Sequence, residues 1–332
     1  MKRSLLLVVI ATLAVIVAAA GCARSTTVAS PTPSPTTHMA SASTVTRTPP
    51  STSTRRPTMT LVPTLTPRPS RTQTPGPDLT ILARHMMELV NRDRRAAGLE
   101  PVEWDDTAAY AAQEHAGEMA LYGYLSHWNL MGYGPEHRYA LAGGRDAVRE
   151  NVYSYYQRYT NGEGMPIQDW YGTVERAQQT FMDSPAHRDN ILQPSHSHVG
   201  IGIAYDPARG ELRIAQEFLD RYVILERVPE EVHQGDAIEV LGQVLPGAST
   251  PLINLAYEPF PLAMTVEELN ATSTYNSAAS AYLALRPTMN GDKFSAAIHF
   301  TTSDRPGLYH VRVWVSQGGE QLLAGSLMLR LR

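Results

Sequence analysis

Ser184-Pro185-Ala186-His187-Arg188-Asp189-Asn190-Ile191-Leu192 is the stretch around which the fold can be built. It follows a helical run carrying Val174, Ala177, Gln178 and Phe181, and it precedes two short strand-like runs, Val199 to Tyr205 and Leu212 to Phe218. Asp206-Pro207-Ala208-Arg209-Gly210 between those runs supplies hairpin turn chemistry. Upstream, Leu82, Met86, Leu89 and Val90 recur at helical spacing until Gly98, a natural C-terminal cap. Asp106 is the expected N-cap of a second helix, in which Ala108, Ala111, Ala112, His115, Ala116 and Met119 share one face. Helices followed by a hairpin predict an α+β domain with helices over an antiparallel sheet.

Leu89-Val90-Asn91-x-x-Arg94-x-x-x-Gly98-Leu99 resembles the opening of the CAP superfamily, named for cysteine-rich secretory proteins, antigen 5 and plant pathogenesis-related proteins. Trp104-Asp105, Ala112-x-x-His115-Ala116, Ser126-His127, Glu150-Asn151 and the 184–192 stretch follow in that family's order. Gly200-Ile201-Gly202-Ile203-Ala204 matches the strand that comes next. Each piece alone is weak, and their common register is the specific signal. The resemblance implies an α–β–α sandwich with a cleft lined by two histidines and one or two acidic residues, which by position are His127, His187 and Glu150. Imidazole nitrogens and a carboxylate suit zinc, so Zn²⁺ or another divalent metal is the expected cofactor, with one position left open. Acid should weaken it, because protons compete for the histidine nitrogens. The spacings match no local metal signature, so only a fold could bring the three together. Where the family often has a Trp and a second acidic residue, this chain has Phe181 and Ser184, which leaves a three-residue site.

Other candidates read more simply. His115 sits on an apolar helix face and is expected to be a hydrogen-bonded core residue; His196 and His198 precede a strand and are expected to face solvent. Adjacent Ser126 and His127 cannot form a nucleophile–base pair. There is no H-E-x-x-H, G-x-S-x-G or phosphate loop, and Gly200-x-Gly202 lacks a third glycine. Six aromatic residues crowd the segment from Tyr153 to Tyr171. Tyr153, Tyr155, Tyr156 and Trp170 among them are the expected ligand-binding wall of the cleft, since such rings combine an apolar face with a polar tip. Packing of a loop against the core is the alternative.

Composition frames these motifs. The chain has 332 residues, 43% apolar and 18% charged, enough for real cores. The net charge of −4 is a sum over unlike parts. Residues 23–78 carry six Arg, one Asp and no Glu or Lys, whereas residues 79–332 carry 20 basic and 31 acidic side chains. A net-acidic folded part argues against nucleic acid as a partner. One cysteine excludes a disulfide scaffold and any multi-cysteine zinc site.

That cysteine, Cys22, follows Lys2-Arg3, an apolar run from Leu5 to Ala20, and Gly21. The arrangement resembles a bacterial lipoprotein signal, with residues 1–21 as signal peptide and Cys22 as the lipidated residue, although Ala19 stands where such signals prefer Leu. An uncleaved anchor helix is the alternative. Either way the remainder is expected at the extracellular face of the cell membrane, since positive charge stays inside. Residues 22–78 are expected to be a disordered stalk: from 23 to 78, 35 of 56 residues are Ser, Thr or Pro.

Residues 79–227 then form the CAP domain, and residues 228–332 an all-β module. Ile238, Val240, Gly242 and Val244 alternate, as do Tyr309, Val311, Val313 and Val315, with turns at Asn290-Gly291 and Pro306-Gly307. Such runs indicate an antiparallel sandwich, and the stretch from Asp304 to Val315 resembles immunoglobulin-type surface domains. Two function classes follow. The first is a surface binding protein that takes a small apolar or cell-wall-derived ligand and touches the membrane through its N-terminal lipid anchor. The second is a metal-dependent hydrolase of peptide or wall polymer, with metal-bound water as nucleophile and Glu150 as base.

Overall fold

The computed structural model describes residues 77–332 except 160–161, 273–274 and 276–278. The expected signal peptide, Cys22 and nearly all of the stalk lie outside the described residues. α1 (Leu79–Ala96) is capped by Asp78, whose carboxylate accepts from the Thr80 N–H. After β1 (Glu103–Trp104) comes α2 (Asp106–Tyr122). Its cap is Asp105, one residue earlier than expected, accepting from the Ala108 N–H at 2.7 Å. α2 stops at Gly123, where φ of 75° is a left-handed conformation that only glycine adopts freely. α3 (Pro135–Leu141), β2 (Ala147–Tyr156), α4 (Trp170–Asp183), α5 (Pro185–Ile191), β3 (His198–Asp206) and β4 (Glu211–Asp220) follow.

The sheet order is β1-β3-β4-β2, with β1 parallel to β3 and the other pairs antiparallel. Strand alternation gives it two faces of different character. Val199, Ile201 and Ile203 of β3, with Leu212, Ile214 and Phe218 of β4, pack under α1, α4 and α5. The opposite face of β3 carries Gly200 and Gly202, and α2 lies directly on them. A Cβ at Gly202 would fall 2.2 Å from the Ala112 carbonyl carbon, and one at Gly200 2.0 Å from the Ala109 nitrogen. Glycine on the strand and alanine on the helix are thus one feature, a close approach of two backbones. The α–β–α sandwich is present as expected.

The second half is a β-sandwich. One sheet runs β10 (Thr288–Asn290), β11 (Lys293–His299), β7 (Ala237–Val244), β5 (Val223–Leu225). The other runs β6 (Glu231–Val232), β13 (Glu320–Leu331), β12 (Gly307–Gln317), β8 (Ser249–Glu258), β9 (Ser280–Leu285). Val240, Ile253, Val311, Val313, Phe294 and Leu329 fill the space between them. β5 precedes the expected boundary at 228 because Val223 and Leu225 alternate with exposed Ile224 and bury their side chains in this second core.

The halves are not beads on a string; all described residues belong to one compact unit. α6 (Val266–Ala271), in the connection from β8 to β9, sends Leu269 into a cluster with Ala112, Met119, Tyr124, Val152 and Ala215 of the first half. The Leu125 N–H donates to Asn270 Oδ1 at 3.0 Å, and the Met264 N–H to the Leu130 carbonyl at 2.9 Å. No helix among the described residues is long and apolar enough to cross a membrane.

Two glycines near the same interface should respond to substitution with opposite sign. Gly202→Val must push α2 off the sheet and is expected to cost about 3 kcal/mol in urea unfolding. Gly117 in α2 has open space where its Cβ would be, so Gly117→Ala should gain up to about 0.8 kcal/mol from helix propensity.

Candidate functional site

Chain direction after α2 sets up the site. Beyond Gly123, Tyr124 is buried and Ser126-His127 run toward the edge strand β2, whose Glu150 points to the α2 side of the sheet. The His127 Nδ1–H donates to Glu150 Oε1 at 2.8 Å. Arg138 of α3 donates from Nη2 to Glu150 Oε2 at 2.5 Å, and from Nη1 to the carbonyls of His127 at 2.7 Å and Tyr133 at 3.0 Å. One guanidinium therefore fixes both the carboxylate and the chain that carries His127. His115 of α2 donates from Nε2 to the Ser126 carbonyl at 2.8 Å, which leaves Nδ1 unprotonated, buried and without a partner. Burial and the neighbouring Arg138 push the His115 pKa down to about 3, so this imidazole is neutral. It is the hydrogen-bonded core residue expected of it.

The sequence reading missed a second carboxyl. Glu217 of β4 lies opposite Glu150 in the strand register and is fully buried. Neither oxygen has a hydrogen bond; the nearest cation is Arg138 Nη2 at 3.5 Å. Burial and the charge of Glu150 hold the Glu217 carboxyl well above the usual range. Burial acts the same way on Glu150, but the Arg138 guanidinium and the hydrogen bond from His127 outweigh it and hold its pKa down to about 2, so Glu150 is ionised. The pair thus splits into one carboxylate and one carboxylic acid (like charges this close do not both ionise). No local signal marked it, because β4 also carries Glu211, Arg213, Gln216 and Asp220.

Tyr275, from the connection between α6 and β9, completes the enclosure. Its ring lies 4.6 Å from the His127 ring, and its hydroxyl accepts from the Glu150 N–H at 3.1 Å. The second half of the chain therefore contributes to the site in the first, which no motif announced.

His187 lies in α5, beside β2. Asn151 donates to its carbonyl at 3.3 Å, and its ring lies 5.2 Å from Phe181. Burial, then the nearby His127, lower its pKa. The ligand atoms of His127, Glu150 and His187 do not all come within 4.8 Å of one another; among the described residues only a different group does so. Both Glu150 oxygens are already engaged, by His127 and Arg138. Of the expected aromatic wall, Tyr153, Tyr155 and Trp170 pack against the core under α1 and α4. Strand alternation turns Tyr153 and Tyr155 to that face, opposite Glu150. Tyr156 is 67% exposed, beside Arg158. His196 requires a correction: it is buried, with Nδ1 2.6 Å from Asp220, Nε2 3.1 Å from Asn190 and the ring stacked on Phe218. Buried Arg94 gathers the carbonyls of Ile191, Gln193 and His196, and this pulls the loop inward. His198 is only slightly exposed, between Ser197 and Arg221.

Residues 87–219 match the family model described as CAP, Cysteine-rich secretory protein family. The chain carries a CAP-superfamily domain. It is 29% identical over 119 residues to the uncharacterized protein YkwD of Bacillus subtilis, covering 36% of this chain and 41% of that protein. An extracellular protein containing a SCP domain from Bacillus anthracis is 22% identical, with a TM-score of 0.34 over 43% of this chain and 41% of its own. An outer surface protein of Borrelia burgdorferi is 16% identical, with a TM-score of 0.36 over 43% of this chain and 96% of its own. The chain thus spans about two fifths of YkwD and of the B. anthracis protein.

The Glu217 environment predicts a pH signature. A carboxyl whose folded pKa lies above its unfolded value contributes stability that is fully present below the unfolded pKa and is lost as pH rises toward the folded one. Glu217→Gln keeps the shape, accepts from Arg138, donates to Glu150 and does not titrate. Its stability advantage over the wild type should grow with pH above about 4.5, by at most about 1.4 kcal/mol per pH unit. Denaturation at pH 5 and pH 8 measures it, and an equal difference at both would remove the assignment.

Proposed function

We infer that this protein is a surface-displayed binding protein, held outside the cell membrane through lipidated Cys22 and the stalk, whose CAP domain takes a small apolar ligand with one polar end. One observation carries the reading: a cavity of about 580 Å³ between α2 and the 129–142 segment. Its rim carries Tyr110, Leu121, Tyr122 and Leu141, all exposed, and its lining includes His115 and Arg138. His115 Nδ1 and Arg138 Nε are buried and unpartnered. Buried polar atoms are normally hydrogen-bonded, so these two mark the polar side of the lining. A ligand hydroxyl would face that side, while the rest of an amphiphile lies along the apolar rim.

A divalent metal such as Zn²⁺ fits the cleft only in part. With Nδ1–H held by Glu150, His127 has Nε2 free for a metal, and an outer carboxylate of this kind is usual behind metal-ligating histidines. His187 is the second donor. Glu150 itself is the residue that orients His127, because both its oxygens are taken. The same fact weighs against hydrolysis, which needs a carboxylate free to take a proton from metal-bound water.

Titration of the full chain with a fluorescent long-chain alcohol tests the cavity. The wild type is expected to bind it, and Leu121→Asp and Tyr122→Asp, both surface changes, to weaken binding at least tenfold. His127→Ala and His187→Ala should leave the alcohol bound and remove zinc affinity from the cleft. Wild-type affinity in both rim variants would sink the ligand assignment.

A further inference from the structure

A second group of ligating side chains lies at the seam between the halves. His137 of α3, Glu258 at the end of β8 and His310 of β12 are buried, and one ligand atom from each lies within 4.8 Å of the others. His137 Nε2 and His310 Nε2 both face Glu258 Oε1, the latter at 3.0 Å and the former in closer contact. The other nitrogen of His310 is buried 3.4 Å from Glu136 Oε1 and makes no hydrogen bond. Glu136 is fixed in turn by Arg312 Nη2 at 2.8 Å and Ser326 Oγ at 2.7 Å.

We propose that His137, Glu258 and His310 form a divalent-metal site that clamps the β-sandwich to α3. Two imidazoles and a carboxylate are the donor set of open zinc sites, and the two nitrogens disfavour calcium and magnesium, which take oxygen shells. Donors about 2 Å from one tetrahedral ion stand roughly 3.3 Å apart; His310 Nε2 and Glu258 Oε1 already stand 3.0 Å apart, and His137 must draw back from its closer contact on loading. Glu136 behind His310 is the outer carboxylate that aligns a ligating imidazole. In the metal-free chain protons take the metal's place. His137 Nδ1 accepts from the Gly134 N–H at 3.1 Å, so Nε2 carries the hydrogen that faces Glu258. Loading moves that proton to Nδ1 and gives up the Gly134 bond. A cavity of about 180 Å³, lined by Trp128, Glu136, His137, Tyr275 and Ser326, reaches His137 and offers an entry path.

The site is independent of the cleft, and its test separates the two. The full chain carrying both His127→Ala and His187→Ala is titrated with Zn²⁺, and its crystals are soaked with Zn²⁺ for anomalous diffraction. The expected result is one equivalent bound and an anomalous peak at coordinating distance from His137 Nε2, Glu258 Oε1 and His310 Nε2. Adding Glu258→Gln or His137→Asn should weaken binding at least tenfold. Both are buried changes, so circular dichroism confirms the fold of each; the anomalous map of the parent depends on neither. No uptake, zinc bound only elsewhere, or undiminished affinity in the folded variants would overturn the site.

Discussion

A single buried guanidinium holds the helix-and-sheet half of this protein together. Arg138 meets two carboxyls that solvent does not reach, and it also carries the carbonyls of His127 and Tyr133. Burying a charge is costly unless partners and hydrogen bonds replace water. Here the account closes only because all three elements arrive together: α3 with the cation, β2 with Glu150 and the His127 segment with its carbonyls. Removing Arg138 would leave Glu150 a buried carboxylate beside another acid, so the network is cooperative.

α3 is also the element that joins the halves. It is seven residues long, too short to be stable by itself, and must be held by what it touches. Glu136 and His137 reach Arg312, Ser326, Glu258 and His310 of the sandwich, while the next residue, Arg138, faces the CAP site. Tyr275 returns from the sandwich to lie against His127. The second module is therefore part of the site's construction.

What the sequence made legible follows from the range of the interactions. Helical periodicity in 82–90 and 108–119, the hairpin turn and the alternating strands are local patterns, and each became the expected element. The meeting of His127 with Glu150 was accessible only through the family resemblance, because nothing local spans their separation. Arg138, Glu217 and Tyr275 were missed for the same reason: their roles exist only once strand register and the return of the β8–β9 connection are known. His196 failed in an instructive way. Two histidines flanked by serines look solvated, yet Arg94, distant in sequence, binds the loop's carbonyls and draws His196 onto Phe218.

Glu217 is the point where local and global logic part. A glutamine there would hydrogen-bond both Arg138 and Glu150 and would not titrate, so stability alone favours the amide. The acid instead holds a proton beside an ionised partner, behind the imidazole and guanidinium that border the cavity between α2 and the 129–142 segment. Its neutral state also makes the network's charge balance work, because one guanidinium then needs to offset only one carboxylate. Residues that break a local rule without structural return mark functional places in a fold. By that criterion the Glu150–Glu217–Arg138 cluster, with the cavity that Arg138 lines, stands apart from the rest of this domain, whereas Tyr153, Tyr155 and Trp170 follow the local rule and pack against the core.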